Sequence, residues 1–434
     1  MNRYATLGNA LKGVLRIGET SVVLAGTGIS WLRGNRPATP RLVRQTFERL
    51  GATYVKLGQF VASSPSLFPA DYVNEFQHCL DKTSPLPFSI IKRVLEQELK
   101  KPLGEIFAEI DEAPLASASI AQVHAARLIT GESVVIKVQK PGVEKVLLTD
   151  LNFLYFTARV VELLFPKLKF ASLSAIVTEI QACMMEETDF YKEAKNIAEF
   201  TDFLQRTGND SAIAPKVYEQ ASGMRVLTME RFYGVPLTDL ETIKKYTTDP
   251  AGTLVTAMNT WFSSLMFCKS FHADLHAGNL MVLTDGRLGF IDFGIVGRID
   301  PDTWGATNTF VESLTTGDFR LMAESMVKIG MTNREVNLDA LCRDLETIHG
   351  KVATVDPEHV LNGAVNDNEI NRIMLDMVAV GERHGIRFPR AFALLLKQIL
   401  YFDRYVKILA PEMNVFADDR IDLMGEMQVP RLLH

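Results

Sequence analysis

Apolar side chains recur every three or four residues near the start of the chain: Leu42, Val43, Phe47 and Leu50 form one stripe, and Ile90 to Leu99 takes up the same period. That spacing predicts helices with one face against a core. Pro65, Pro69, Pro85 and Pro87 divide the text into segments, because proline inside a helix removes a hydrogen bond and clashes with the preceding turn. From Pro114 onward the period shortens to two. Val123 to Leu128 and Ser133 to Val138 alternate on either side of Thr130-Gly131, which predicts a β-hairpin. Helices are expected over Lys145 to Leu164 and Leu173 to Phe203, and a strand pair near Lys216 to Tyr218 and Arg225 to Met229. The remainder reads as helical, interrupted by short strands around Leu280 to Ile291. This order predicts an α+β protein: residues 1–105 as a helical extension, 106–230 as a small mixed lobe with inserted helices, and 231–434 as a larger helical lobe.

A membrane-spanning helix needs roughly 20 mostly apolar residues, and two stretches approach that. Thr20 to Leu32 is uncharged but only 13 residues long and contains Gly26 and Gly28. Pro250 to Cys268 is uncharged for 19 residues, yet Thr253, Thr256, Asn259, Thr260, Ser263 and Ser264 lie inside it, so it is expected to be a buried core helix. At 434 residues, with 47% hydrophobic and 23% charged positions, the composition excludes disordered and collagen-like chains. Cys79, Cys183, Cys268 and Cys342 are scattered without a C-x-x-C pair, which suggests neither a disulfide framework nor a zinc site and fits a reducing compartment. No secretory signal pattern is visible, and a transit sequence stays open. Charge is distributed unevenly. The net −6 divides into +7 over residues 1–60 and −13 over the rest, a basic head on an acidic body. Nothing resembles a nucleic-acid module, so the head points to another anionic partner, a membrane surface.

Most of the chemistry lies in Phe271-His272-Ala273-Asp274-Leu275-His276-Ala277-Gly278-Asn279 and in Asp292-Phe293-Gly294. An Asp followed five residues later by Asn and 18 residues later by Asp-Phe-Gly has the spacing of a kinase catalytic loop and metal-binding loop. Phosphoryl transfer needs divalent ions bridging phosphate oxygens, and hard cations take oxygen ligands, so Asn279 and Asp292 are the candidate metal ligands. Asp274 is the group placed to orient a hydroxyl or water, or to accept its proton. Upstream, Lys137 stands in the middle of the apolar run Val134 to Val138. A buried ammonium requires a phosphate or carboxylate partner, and Glu193 is the candidate. Asp189, four residues earlier, is expected to share its helical face.

The chain resembles the UbiB, ABC1 or ADCK family of atypical protein-kinase-like proteins over about residues 40–410. Lys56-Leu57-Gly58-Gln59 matches that family's K-x-G-Q signature, Ala116, Ser117, Ala118 and Ser119 its Ala-rich loop in place of G-x-G-x-x-G, and Glu187-Thr188-Asp189 its E-x-D motif. Lys137, Glu193, Asp274, Asn279 and Asp292 match the positions shared with kinases. The resemblance implies an atypical protein-kinase-like two-lobe fold whose N-terminal extension covers the cleft, with Lys56 and Gln59 near Glu187 and Asp189 as regulatory residues. It implies nucleotide binding at Ala116 to Ser119 and Lys137, ATP or ADP with Mg2+, ATPase activity, and a role in ubiquinone biosynthesis. Membrane lipids, quinone intermediates and other ubiquinone-biosynthesis proteins are the partners it implies, no nucleic acid, with a homo-oligomer left open. The location it implies is cytoplasmic, peripheral on the inner face of a membrane.

The peptide platform of signalling kinases is missing. Ala273 replaces their Arg, His276 their catalytic-loop Lys, and no A-P-E stands close after Gly294. Two other classes remain open on this reading: a soluble small-molecule phosphotransferase, and a nucleotide-gated scaffold without a phosphoryl acceptor.

Overall fold

The computed structural model describes residues 39–62, 70–76, 85–164, 173–268, 270–276, 278–299, 301–332, 335–353, 380–381, 383–413 and 418–421. Residues 1–38 of the basic head lie outside them. The chain divides into two units, residues 1–194 with 216–231, and residues 195–215 with 232–434.

In the first unit, helices α1 (Thr39–Leu50), α2 (Ala52–Ala62), α3 (Ala70–Phe76) and α4 (Phe88–Leu99) precede a four-stranded antiparallel sheet. Its strands β1 (Phe107–Ser117), β2 (Ala121–Leu128), β3 (Ser133–Gln139) and β4 (Val226–Glu230) pair in that order. Ile91, Val94 and Leu95 recur at helical spacing on α4 and cover Val134, Ile136 and Val138, which alternate along β3 and are fully buried. Strand β1 starts seven residues before Pro114, where the alternation was expected to begin. Its pattern is hidden because the register is broken between Ile110 and Pro114. Pro114 is tolerated because β1 is an edge strand, with pairing on one side only.

Between β3 and α7 (Phe190–Thr207) the chain inserts a helical hairpin, α5 (Val143–Leu164) and α6 (Leu173–Glu186). Glu162 closes it by accepting from the Ser174 backbone N–H at 2.8 Å and the Ser174 hydroxyl at 3.0 Å. Leu50, Tyr54 and Leu57 from α1 and α2 share a core with Leu147, Leu151, Ile180 and Met184 of the hairpin and with Ile120 from the β1–β2 turn. The single helix expected over Leu173 to Phe203 is two, broken at Glu187–Asp189. The cause is local side-chain competition for the backbone. The Thr188 hydroxyl donates to the Met185 carbonyl at 2.8 Å, and the Asp189 carboxylate accepts from the Tyr191 N–H at 3.1 Å as the N-cap of α7. Asp189 therefore precedes the helical face it was expected to share with Glu193. Near Lys216 to Tyr218 only the bridge Val217 to Met229 forms.

In the second unit, Asp249 caps α8 (Pro250–Phe267) by accepting from the Gly252 N–H at 2.8 Å, with proline in the first turn. Trp261, Leu254 and Met258 are fully buried, so the uncharged stretch is a core helix. Among the described residues no helix is long and apolar enough to cross a membrane. Short strands follow: β5 (Gly234–Pro236), β7 (Leu280–Leu283) and β8 (Leu288–Phe290) join Ala212–Ile213 in one sheet, while β6 (Phe271–His272) pairs with β9 (Val296–Gly297). Helices α9 (Pro301–Thr316), α10 (Phe319–Ile329), α11 (Leu338–Ala353) and α12 (Arg390–Leu409) complete the unit. Phe310, Met322, Met326, Leu341 and Leu345 build a core among the first three of these helices.

Candidate functional site

The side chains of chemical interest fall into two groups, one in each unit. In the first, Lys137 sits opposite Val123 and Leu227 in the middle of β3. Alternation turns it to the face opposite the buried Ile136 and Val138. Its ammonium donates to both carboxylate oxygens of Glu193, at 2.9 and 3.0 Å, and lies 5.4 Å from the centroid of the Phe190 ring. The two side chains are 13% and 3% exposed. Glu193 stands in the first turn of α7, where the helix dipole favours a negative charge. Glu193 thus fixes the direction of a cation whose N–H donors suit phosphate oxygens.

Ala116 and Ser117 end β1, and Ala118 to Ile120 form a tight turn into β2, with the Ala118 N–H donating to the Ala121 carbonyl at 2.9 Å. The turn stands directly before the strand that the alternation predicted, and β1 leads into it. The Ser117 hydroxyl is buried with no hydrogen-bond partner among the described residues, as expected of a group awaiting an oxygen-bearing ligand. Glu187 is half-buried in the break before α7. Lys56 and Gln59 belong to α2, but their side chains lie outside the described residues.

The second group is built on β6 and β7. His272 is fully buried, and its contacts fix one tautomer: Nδ1 accepts from the Asp274 N–H at 3.2 Å and Nε2–H donates to the Ile291 carbonyl at 3.0 Å. Burial holds this imidazole below its ordinary pKa, against the opposing pull of the Ile291 carbonyl, Asp274 and Asp292. His272 therefore joins the loop of Asp274 to the peptide preceding Asp292. Asn279 closes the same loop from the other end, its Nδ2 donating to the Asp274 carbonyl at 2.9 Å and its carbonyl accepting from the Ile291 N–H at 3.0 Å. With Nδ2 committed, Oδ1 is the atom Asn279 can offer to a hard cation.

Asp292 has φ 59°, in the left-handed region. Asp tolerates this better than most residues, and strain of this kind concentrates at functional positions. Among the described residues no three His, Cys, Asp or Glu side chains cluster as a metal site. Asn279 Oδ1 and the Asp292 carboxylate are oxygen atoms of the kind that hard cations take as ligands. His276 approaches the Asp274 carboxylate at 3.7 Å through Nε2, while its Nδ1 accepts from the Gly278 N–H at 3.0 Å. Ala273 is fully buried, which leaves no room for the arginine of signalling kinases.

Several supporting residues escaped the sequence reading. Trp261 donates from Nε1 to the His272 carbonyl at 2.9 Å. Asn196, three residues beyond Glu193 on α7, donates to the Phe293 carbonyl at 3.0 Å and accepts from Arg298 at 3.2 Å. The His-x-Asp spacing could have drawn attention to His272; Trp261 and Asn196 lie in ordinary helical text and carry no signal of their own.

Comparison with known proteins gives a consistent result. The family model of the ABC1 atypical kinase-like domain matches residues 78–326. An aarF domain-containing protein kinase of Arabidopsis thaliana, named as chloroplastic, is 46% identical over 95% of this chain and 82% of its own length. A probable protein kinase UbiB of Pseudomonas aeruginosa is 28% identical over 86% of this chain and 69% of its own. Among solved structures, a Mycobacterium tuberculosis protein in complex with erythromycin superimposes with a TM-score of 0.51 at 24% identity, covering 82% of this chain and 91% of that one. That likeness supports a shared kinase-like fold.

Proposed function

We propose, on the premise that this chain belongs to the ABC1 atypical kinase-like family, that it is a phosphoryl-transfer enzyme acting on Mg2+-bound ATP. Its output is hydrolysis or phosphorylation of a small molecule or lipid in support of ubiquinone biosynthesis at a membrane surface. The observation that carries the reading is the two-point Lys137–Glu193 ion pair, present in a chain whose other unit holds Asp274, Asn279 and Asp292 on one hydrogen-bonded pair of loops. On this reading Glu193 would hold the Lys137 ammonium for the α- and β-phosphates, and the Ala116 to Ser119 turn, with the Ser117 hydroxyl, would bind the phosphate chain. Asn279 Oδ1 and the Asp292 carboxylate would hold Mg2+, which would supply charge neutralisation at the transferring phosphoryl group. Asp274 orients the attacking hydroxyl or water and takes its proton. The buried Ala273 and the lack of an A-P-E close after Gly294 favour water or a small acceptor over a protein. Lys56, Gln59, Glu187 and Asp189 form the regulatory edge of this reading, and the basic head is its peripheral membrane contact.

The deciding experiment is thermal stabilisation by Mg2+ with ATP or ADP, compared in wild type and Asp292→Asn. Stabilisation that needs both Mg2+ and Asp292 supports the reading; equal shifts in the two proteins remove Asp292 from its role. ATP turnover with and without anionic liposomes containing quinone-like lipids, on the whole chain and on a chain lacking residues 1–36, then tests the membrane part. Stimulation confined to the whole chain supports contact through the head.

A further inference from the structure

We infer that Gln398, on the C-terminal helix α12, is a positioning residue for Asp274. This deepens the phosphoryl-transfer reading and rests on it. Each of the peptide groups around Asp274 needs a partner once buried. The His272 carbonyl accepts from Trp261, and the Ala273 N–H donates to the Ile295 carbonyl at 3.1 Å. The Asp274 N–H donates to His272 and the Asp274 carbonyl accepts from Asn279. The two groups that remain on either side of Asp274 both go to one side chain. Gln398 accepts from the Leu275 N–H through Oε1 at 2.7 Å and donates from Nε2 to the Ala273 carbonyl at 2.7 Å. These two partners fix the orientation of the amide, because one needs an acceptor and the other a donor.

Gln398 is fully buried, so water cannot replace either contact. Seven residues along the same face of α12, the buried Tyr405 hydroxyl donates to the Leu275 carbonyl at 2.6 Å. Phe402 packs against Trp261 at 5.4 Å between ring centroids, tying α12 to the residue that holds His272. Every backbone group from the His272 carbonyl to the Leu275 carbonyl is thereby fixed. Gln398 and Tyr405 lie beyond residue 326, where the match to the family model ends. The segment that aligns Asp274 therefore extends outside the part of the chain that defines the family.

The test uses the whole chain and Gln398→Met, which keeps the side chain's size and loses both hydrogen bonds. Because displacement of a reacting group by about 1 Å costs on the order of 100-fold, kcat for Mg-ATP turnover should fall about 10- to 100-fold. KM should stay within about threefold and the Mg-nucleotide thermal shift should persist, since Lys137, Asn279 and Asp292 are untouched. In an Asp274→Asn background the same substitution should change kcat by less than about twofold, because residues acting as one unit are not additive. Equal fold losses in both backgrounds, or an unchanged kcat in the Asp274 protein, overturn the inference alone. A folded wild type that turns over nothing sinks the phosphoryl-transfer reading and this inference with it. If Gln398→Met does not fold, Tyr405→Phe, which removes one hydroxyl, should give the same pattern at about 3- to 10-fold, and its failure to do so is equally decisive.

Discussion

Removing either member of the Lys137–Glu193 pair should cost far more than removing both. The charges meet at 2.9 and 3.0 Å with exposures of 13% and 3%. At that separation and an effective dielectric constant near 20, their attraction is about 5 kcal/mol, opposed by a desolvation cost of several kcal/mol per ion. The net worth of the intact pair is therefore close to zero, whereas the survivor of a single substitution keeps its desolvation cost and loses this attraction. Glu193→Leu and Lys137→Met should each destabilise the protein by about 3–5 kcal/mol, and the double variant by no more than about 1 kcal/mol. Equilibrium urea unfolding at pH 7.5 measures all four corners of this cycle. Single variants that cost under about 1 kcal/mol, or a double variant equal to their sum, would refute a desolvated pair.

Three further outcomes rest on separate parts of the structure. Burial lowers the His272 pKa in the folded state, so the unfolded chain takes up a proton near the ordinary value of about 6.5 while the folded chain does not. This contribution is fully present above that pH and is lost as pH falls below it, at up to about 1.4 kcal/mol per pH unit until the folded pKa is reached; a ring that is protonated at pH 6 by NMR would contradict it. The groups facing the imidazole are Asp274, Asp292 and His276, and only His276 opposes its protonation by charge. Asp189→Ala removes the cap of α7 and should cost about 1 kcal/mol in urea unfolding, while Asp189→Asn should cost a few tenths at most; equal losses would mean that the charge, and not the cap, matters. Gly234→Ala would drive a Cβ into the Val282 carbonyl oxygen, a backbone contact that cannot swing aside, and should cost at least about 1–3 kcal/mol. An unchanged melting temperature for that variant would show that β5 can shift away from β7.

The sequence alone determined whatever depends on short-range spacing. The period of two placed β2 and β3, proline and the apolar repeat placed α4 and α8, and the intervals from Asp274 to Asn279 and Asp292 identified the second group of side chains. Lys137 could be singled out without coordinates because an ammonium in an apolar strand is tolerated only beside an anion. Only the tertiary structure decided which distant groups meet these residues. Strand β1 was obscured by its irregular register, and Thr188 and Asp189 broke a helix whose apolar period runs on regardless. Gln398 and Tyr405 stand more than 120 residues from the loop they hold, in helical text indistinguishable from any other. Periodicity records which face of an element is buried, because every turn or pleat repeats that requirement. It carries no record of the single polar side chain that satisfies a remote peptide group, because that requirement arises once, at a contact made by the fold.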